Sequence, residues 1–421
     1  MVKKITFQAA AILLLASCFY FYEFIAQVAP SVMQADLMRA FSIDATKLGL
    51  LSGCFYLSYA PLQLTSGLLL DRYSTRIILT CICAVFSLGV LLFAQASSIY
   101  MAAVARFIMG AAASCAFISV LHLIAHWVPK TKYALFTGIA EAMGGIGGLT
   151  GTWLLVLLLK NFSWHSAITG LAVLGLILAV FIALIIRDQP VDITTKNQPA
   201  TLDASIDSIF ANLKAITKNS QTWIIGLYSF LIWSPVLGFI ALYGDEFLKI
   251  GQNIDNVTAA AAIACVWLGL ACSSPLIGFI SDILHRRQIL MTICGLVGFI
   301  SLTSIIFITN IPTPILYVLM SGIGFASSGQ ALSFVLIKDG SLRRTNSTAN
   351  GLNNMFLVAS GLVFQPLMGK MLDISWHNTM QNGIRVYDLH SYQIAFSVLA
   401  CCYFFAILIS RFFIKDPGLK P

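Results

Sequence analysis

Residues 67–76 read Gly67-Leu-Leu-Leu-Asp71-Arg72-Tyr-Ser-Thr-Arg76, and residues 278–287 read Gly278-Phe-Ile-Ser-Asp282-Ile-Leu-His-Arg286-Arg287. The two stretches lie 211 residues apart, which is half of the 421-residue chain. At this shift, residues 37–76 match residues 248–287 at nine of forty positions. A repeat of this length predicts two copies of one structural unit.

The composition places both copies in a membrane. Of the 421 residues, 58% are hydrophobic and 10% are charged, whereas soluble domains carry about 25% charged residues. A helix needs ~20 apolar residues to cross a bilayer, so the apolar residues supply about twelve crossings. The runs are continuous and rich in Leu, Ala and Ile rather than alternating, which predicts an all-α integral membrane protein and not a β-barrel.

Twelve transmembrane helices are predicted, in two pseudo-symmetric bundles of six. The spans are residues 7–33, 47–70, 77–96, 99–126, 134–158, 165–186, 222–243, 257–280, 289–309, 313–336, 347–371 and 392–413. The first span is too long for a cleaved signal peptide and contains Glu23, so we expect it to be retained. The predicted domains are residues 1–186, a cytoplasmic linker at 187–221, and residues 222–421.

The basic residues predict the orientation. With the N-terminus in the cytoplasm, eighteen of the 25 Lys and Arg residues fall on the inner side and six on the outer side, and such a bias places both termini inside. The net charge of +8 therefore reflects topology and not nucleic-acid binding. All ten cysteines lie in apolar runs, the six histidines lack metal-ligand spacing, and no phosphate-binding loop is present, so we expect no metal, no cofactor and no direct coupling to ATP.

The two quoted stretches resemble the inner-loop signature of the major facilitator superfamily, which reads Gly, three residues, Asp, a basic residue, any residue, Gly, then basic residues. This chain departs from it at Ser74 and His285, where the family prefers Gly, at Thr75, a usually basic position, and at Ile283 after the second Asp. The resemblance implies alternating access, with a solute bound between the bundles. It also implies a cytoplasmic gate formed by these residues: Gly67, Asp71, Arg72, Arg76, Gly278, Asp282, Arg286 and Arg287.

The gate has a physical basis. Glycine lets helices approach closely, and a carboxylate at the membrane edge is stabilised against a helix N-terminus. The resemblance implies that Asp71 faces the start of span 11 and Asp282 the start of span 5. The alternative is that these charges only set topology.

Two acidic residues lie well inside spans, Glu23 in span 1 and Glu141 in span 5. Arg106 in span 4, followed by Gly110, matches the family pattern for that helix, and a mid-membrane Arg needs a partner or a wet cavity. A Glu near an Arg can carry a proton, because protonation releases the Arg to bind a substrate carboxylate. The alternative is a structural ion pair. Glu141 is the second proton-coupling candidate, with His122 at similar depth, although packing explains His122 better.

In the family, spans 1, 4, 7 and 10 line the cavity. The resemblance therefore implies five substrate-binding candidates: Tyr20, Glu23, Arg106, Trp233 and Gln330. The glycine run of span 5, from Gly138 to Gly148, is similar to that of drug antiporters, but Gly145 stands where their proline is expected, and close helix packing explains the run.

The expected function is proton-driven uptake of a small organic solute. The aromatic run at residues 19–22, together with Arg106, resembles importers of amino acids or short peptides, and similar chains are bacterial nutrient or siderophore carriers. Export of a drug or siderophore is the alternative, which a cavity with more aromatics and fewer charges would favour. A membrane sensor or a multi-pass enzyme is disfavoured, since neither a signalling domain nor a catalytic cluster is found. We expect a monomer in a bacterial inner membrane whose partners are lipid, solute and protons.

Overall fold

A computed structural model describes residues 7–128, 133–188, 216–284, 286–339, 346–381 and 384–415, which are almost entirely helical. The first half contains α1 (Phe7–Val32), α2 (Gln34–Phe41), α3 (Ala45–Arg72), α4 (Thr75–Ala94), α5 (Ile99–Ala113), α6 (Ala116–Trp127), α7 (Tyr133–Leu159) and α8 (Trp164–Ile185). The second half contains α9 (Ser220–Pro235), α10 (Gly244–Gln252), α11 (Asn256–Leu284), α12 (Arg287–Phe307), α13 (Thr313–Ser327), α14 (Gly329–Asp339), α15 (Asn346–Ile374) and α16 (Leu389–Leu408). Two π-helical segments, Val236–Tyr243 and Ile409–Phe413, follow α9 and α16, and a short antiparallel pair, β1 (Met380–Gln381) and β2 (Ile384–Arg385), precedes α16.

The helices have the length and surface of membrane spans. Within the described ranges, eleven helical stretches are long and apolar enough to cross a membrane. The 28-residue α3 is not among these eleven, but it occupies the position of the second predicted span. Large apolar side chains point outward, among them Leu174, 63% exposed, and Val318, 70% exposed. Such surfaces suit lipid rather than water, and the predicted all-α membrane class is confirmed.

The internal repeat is visible in backbone detail. Short helices α2 and α10 end in Ser42 and Asn253, which are 211 residues apart and both adopt a left-handed conformation, with φ of 50° and 52°. Asp44 and Asp255 follow at the same spacing, and each accepts hydrogen bonds from backbone N–H groups at the start of the next helix. The same turn and cap thus begin α3 and α11.

Three of the spans are interrupted. The fourth is divided into α5 and α6 at residues 114–115, and the tenth into α13 and α14 at Ser328. In the seventh, the π-helical segment Val236–Tyr243 follows directly after Pro235. Because proline lacks a backbone N–H, it removes an α-helical hydrogen bond and favours such a local change of pitch.

The two halves meet mainly along two pairs of helices, α3 with α15 and α7 with α11, and α1 also packs against the π-helical segment Val236–Tyr243. We call the end of the bundle at which α1 begins the near end, and the end at which α1 finishes the far end. The near end is the predicted cytoplasmic side. The predicted linker at 187–221 falls largely outside the described residues, so the domain boundaries stay a prediction.

The glycines of α7 allow close packing on both sides of this helix. A Cβ atom at Gly147 would lie 2.4 Å from the Phe21 carbonyl oxygen of α1, and one at Gly148 would lie 2.6 Å from the Trp267 ring of α11. Side chains at these positions would therefore push α7 away from α1 and from the other half. The glycine run is explained by packing in this structure.

Candidate functional site: the cavity between the halves

A cavity with about 730 Å³ of empty space, part of it open to solvent, lies between the two halves. Helices α1, α3, α6 and α7 line it from the first half, and α9, α11, α13, α14, α15 and the π-helical segment Val236–Tyr243 line it from the second. A mostly apolar cleft between two helical units, with a few polar groups, is the usual form of a small-molecule site.

Aromatic residues form much of the first-half wall. The Tyr20 ring lies 4.9 Å from the Phe24 ring and 5.1 Å from the Phe117 ring, measured between centroids. Tyr20 packs directly against α7, because a Cβ at Gly144 would lie 2.5 Å from its ring. Tyr56 and Tyr59 of α3 complete this wall.

Polar groups in the cavity wall are left without partners. Glu141 has no hydrogen bond or ion pair among the described residues, and it is partly exposed to the cavity. The Gln27 amide nitrogen donates to the Tyr56 hydroxyl at 3.2 Å, while the Gln27 Oε1 atom has no donor among the described residues. The Trp233 indole N–H, 6% exposed, has no acceptor within the described part of the chain. Glu141 is accessible from the cavity, whereas the Gln27 Oε1 and Trp233 Nε1 atoms are buried in its wall.

Glu23 and Arg106 lie outside this wall. Each is 1% exposed. The two side chains are close enough for their charges to interact through space, but they do not form an ion pair. The Arg106 Nη1 atom donates to the Ala26 carbonyl at 3.3 Å, and the guanidinium lies 4.7 Å from the centre of the Phe55 ring. Both Glu23 oxygens and the Arg106 Nε and Nη2 atoms have no hydrogen-bond partner in the described structure.

The structure thus brings part of the predicted set together. Tyr20, Trp233, Gln330 and Glu141 line one cavity. Glu23 and Arg106 lie in the protein interior among α1, α3 and α5, and neither is among the lining residues. The His122 ring lies 4.4 Å from the His126 ring and makes no ion pair with Glu141 in the described chain.

The predicted gate residues are only partly described. The surroundings of Gly67 and the side chains of Asp71, Arg72 and Asp282 fall outside the described part of the structure. Arg286 is exposed at the start of α12, where Arg287 is the first helical residue.

The remaining two gate positions lie apart from the other half of the bundle. The Arg76 Nε atom donates to the Ala183 carbonyl at 2.7 Å, and the Arg76 backbone N–H donates to Asp188 at 2.8 Å, so Arg76 joins α4 to the end of α8 within one half. A Cβ at Gly278 would meet no atom within 4 Å.

A cluster that the sequence did not reveal joins the halves at the far end. The first N–H groups of a helix have no acceptor in their own helix. At the start of α3, the Thr46 N–H donates to Asp373 Oδ2 at 2.7 Å, and the Ala45 N–H donates to the Tyr387 hydroxyl at 3.1 Å. The Thr46 hydroxyl also donates to Asp373. We call Ala45, Thr46, Asp373 and Tyr387 the far-end latch.

The latch is reinforced from within the second half. The second oxygen of Asp373 accepts hydrogen bonds from the Tyr387 hydroxyl at 2.6 Å and from Arg385 at 3.1 Å. Burial, and then the hydrogen bond to Asp373, raises the pKa of Tyr387, which therefore stays protonated and able to donate at neutral pH. The carboxylate also lies at the positive end of the α3 dipole. The arrangement expected of Asp71 and Asp282 is thus found with Asp373 at the opposite end.

The described residues contain no group of three or more His, Cys, Asp or Glu side chains able to hold a metal ion. The cavity wall offers a ligand aromatic faces, one carboxylate and neutral polar side chains.

Comparison with known proteins agrees with this architecture. The hexuronate transporter of Bacillus subtilis (strain 168) is 21% identical over 367 residues, which cover 82% of this chain and 83% of that protein. A bacterial homologue of the human lysosomal transporter Spinster, in an inward-facing and unoccupied conformation, superposes with a TM-score of 0.77 at 17% identity, covering 98% of each chain. The nucleoside transporter NupG superposes with a TM-score of 0.71 at 15% identity, covering 94% of this chain and 98% of NupG. Residues 12–366 match the Major Facilitator Superfamily, and the chain belongs to this family of multi-pass membrane transporters.

Proposed function

We propose that this transporter imports a small organic solute, such as an amino acid, a short peptide or another carboxylate, and that the proton gradient drives the uptake. The observation that carries the proposal is the cavity between the halves. At the far end of the bundle, the far-end latch joins the two halves. If the near end is cytoplasmic, the structure corresponds to a state closed to the outside. The relatives named for hexuronate and nucleoside transport support a small organic solute, and the bacterial relative supports an inner membrane. We propose that a single chain suffices.

Glu23 is the proposed proton carrier. Burying an ionised carboxylate without hydrogen bonds costs several kcal/mol, and binding a proton removes that cost. Arg106 offsets part of it through space, and Glu23 is 1% exposed with no hydrogen-bond partner among the described residues. Protonation of Glu23 therefore removes a negative charge from the interior among α1, α3 and α5, and deprotonation restores it. Such a change favours one arrangement of the helices over another.

Glu141 is the second proposed proton-coupling residue. It lines the cavity and has no partner among the described residues, so a proton from the solvent-filled part of the cavity can reach it directly. Tyr20 lies in the same wall, on the helix that also carries Glu23. This placement supports communication between the two carboxylates through α1.

Export of a drug or siderophore is the second candidate, and the composition of the wall favours it. Tyr20, Phe24, Tyr56, Tyr59, Phe117 and Trp233 line the cavity, whereas Glu141 is the one charged residue among the described lining residues. An aromatic, weakly charged cavity suits bulky apolar cargo.

The test is uptake into proteoliposomes with and without an inward-directed proton gradient. Labelled amino acids, dipeptides, carboxylates and siderophores are offered to the wild type, to Glu23→Gln and to Asp36→Asn, whose carboxylate lies on the surface of α2. We expect gradient-dependent accumulation that is lost in Glu23→Gln and retained in Asp36→Asn. Equal accumulation by all three proteins would show that Glu23 does not couple protons. Gradient-driven loss of preloaded solute would establish export.

A further inference from the structure

We propose that the cavity recognises a protonated amino group on a small amphipathic solute, with Glu141 as its counter-ion. This inference rests on the transport function proposed above and names the chemical group that the site selects. It separates amine-bearing solutes, such as amino acids, peptides and simple amines, from solutes that carry only negative charge.

The charge of the wall is the first argument. Of the described residues that line the cavity, Glu141 alone carries a formal charge, and none is Lys, Arg or His. Glu141 has no ion pair with any described residue, and its carboxylate faces the cavity, where it can pair with a charge on the solute. Arg106, the expected anion-binding group, is 1% exposed and absent from the wall. A dicarboxylate or a uronate would meet a like charge here, whereas a cation would meet an opposite one.

The aromatic surfaces are the second argument. The Tyr20, Phe24 and Phe117 rings form one contiguous cluster in the wall, with centroids 4.9 and 5.1 Å from the central Tyr20 ring. The face of an aromatic ring carries negative electrostatic potential and attracts ammonium groups, by about 0.5–2 kcal/mol at each ring. The aromatic rings and the carboxylate of the cavity therefore both favour a positively charged ligand.

The unpartnered hydrogen-bonding groups are the third argument, and they are independent of charge. Gln27 lines the cavity, and its buried Oε1 atom has no donor among the described residues. A side-chain rotation that exposes this acceptor would offer it to an ammonium group, which supplies three donors. Trp233 lines the same cavity, and its buried indole N–H has no acceptor among the described residues. Leu237 and Leu357 line the same space and suit an apolar body.

The experiment measures binding of two matched pairs of probes to the purified full-length protein in detergent, by isothermal titration calorimetry. Phenethylamine is compared with 3-phenylpropanoate, and 3-methylbutan-1-amine with 4-methylpentanoate, so that each pair differs mainly in the charge of its head group. We expect each amine to bind at least tenfold more tightly than its carboxylate. Glu141→Gln should lower amine affinity by tenfold or more, and Glu141→Asp should restore part of it.

The matched control is Asp255→Asn. Asp255 is an exposed carboxylate before α11, where its side chain accepts hydrogen bonds from the Val257 and Thr258 N–H groups, and asparagine can still accept them. We expect this variant to bind both amines as the wild type does. Thermal denaturation of each variant establishes that it is folded.

Three results would overturn the inference. The first is that the carboxylates bind as tightly as the amines. The second is that Glu141→Gln leaves the amine affinity unchanged. The third is that neither amine binds to the folded wild-type protein. Proteoliposome uptake of carboxylates but not amines would reject amine recognition and leave the transport proposal intact. Absence of uptake or efflux of every solute would instead reject the transport proposal.

Discussion

Replacing Asp373 with asparagine should weaken closure of the far end. Each carboxylate oxygen of Asp373 accepts two hydrogen bonds, one oxygen from Thr46 of the first half and the other from Tyr387 and Arg385 of its own half. Asparagine keeps one acceptor oxygen and replaces the other with an NH₂ donor. One pair of donors must therefore lose its acceptor.

The loss of free energy depends on which pair of hydrogen bonds is broken. If the amide turns its nitrogen toward Thr46, two hydrogen bonds to a charged acceptor are lost, at about 1.5 kcal/mol each, or about 3 kcal/mol in total. If its oxygen faces Thr46, both bonds become neutral and lose about 1 kcal/mol each. A loss of about 2–3 kcal/mol changes the opening equilibrium by about 30- to 150-fold.

Hydrogen–deuterium exchange at residues 43–48 measures this opening directly, because the Thr46 N–H is protected by Asp373 rather than by its own helix. We expect about 30- to 150-fold faster exchange there in Asp373→Asn. Asp388→Asn is the matched control, since Asp388 lies at the same end but caps α16 within its own half. Exchange at residues 43–48 within twofold of the wild type in Asp373→Asn would refute the latch.

Three further predictions concern packing and charge. Gly110→Ala should destabilise the fold by about 1–3 kcal/mol in thermal denaturation, because the new Cβ would lie 1.9 Å from a backbone oxygen of α3. The control is Gly170→Ala, whose new Cβ would have no atom within 4 Å, and this variant should melt no lower than the wild type. Gly278→Leu should melt normally, since that site is open here, but should lose uptake if the near end closes on it; normal uptake would exclude such closure. Arg106→Gln should be less stable than the double variant with Glu23→Gln, because it leaves a buried carboxylate without its compensating charge. Additive effects in this cycle would show that the two side chains are not coupled.

The sequence predicts the helices well because their signal is local. Twenty consecutive apolar residues identify a span regardless of what surrounds it, and the predicted span 134–158 falls within the observed helix Tyr133–Leu159. The repeat could also be found in the sequence, because Asp44 and Asp255 cap equivalent helices and remain identical.

The far-end latch could not be predicted, because its contacts are not local. Asp373 and Thr46 are 327 residues apart, and neither belongs to a sequence motif. Arg106 illustrates a different limit. Its residue type and depth indicate that it needs compensation, but they do not tell whether the side chain faces the cavity or the interior. Helix rotation decides this, and a run that is apolar all round gives little information about rotation.

The cavity also shows how a symmetric backbone can form an asymmetric site. Tyr59 and Leu270 occupy equivalent positions in the repeat, 211 residues apart, and both line the cavity. In spans 4 and 10 the equivalent positions lie 214 residues apart, because a Cβ at Gly110 would meet the Phe55 carbonyl and one at Gly324 would meet the Val266 carbonyl. Phe117 and Ala331 are then equivalent, and both line the cavity. In each pair the first half contributes an aromatic ring, and the second half contributes an aliphatic side chain. Glu141 adds its charge on the aromatic side. Two identical walls would bind a solute equally well in two opposite orientations, whereas these walls distinguish its two ends. The divergence of the side chains, on a backbone that kept its repeat, therefore gives the cavity two chemically different walls.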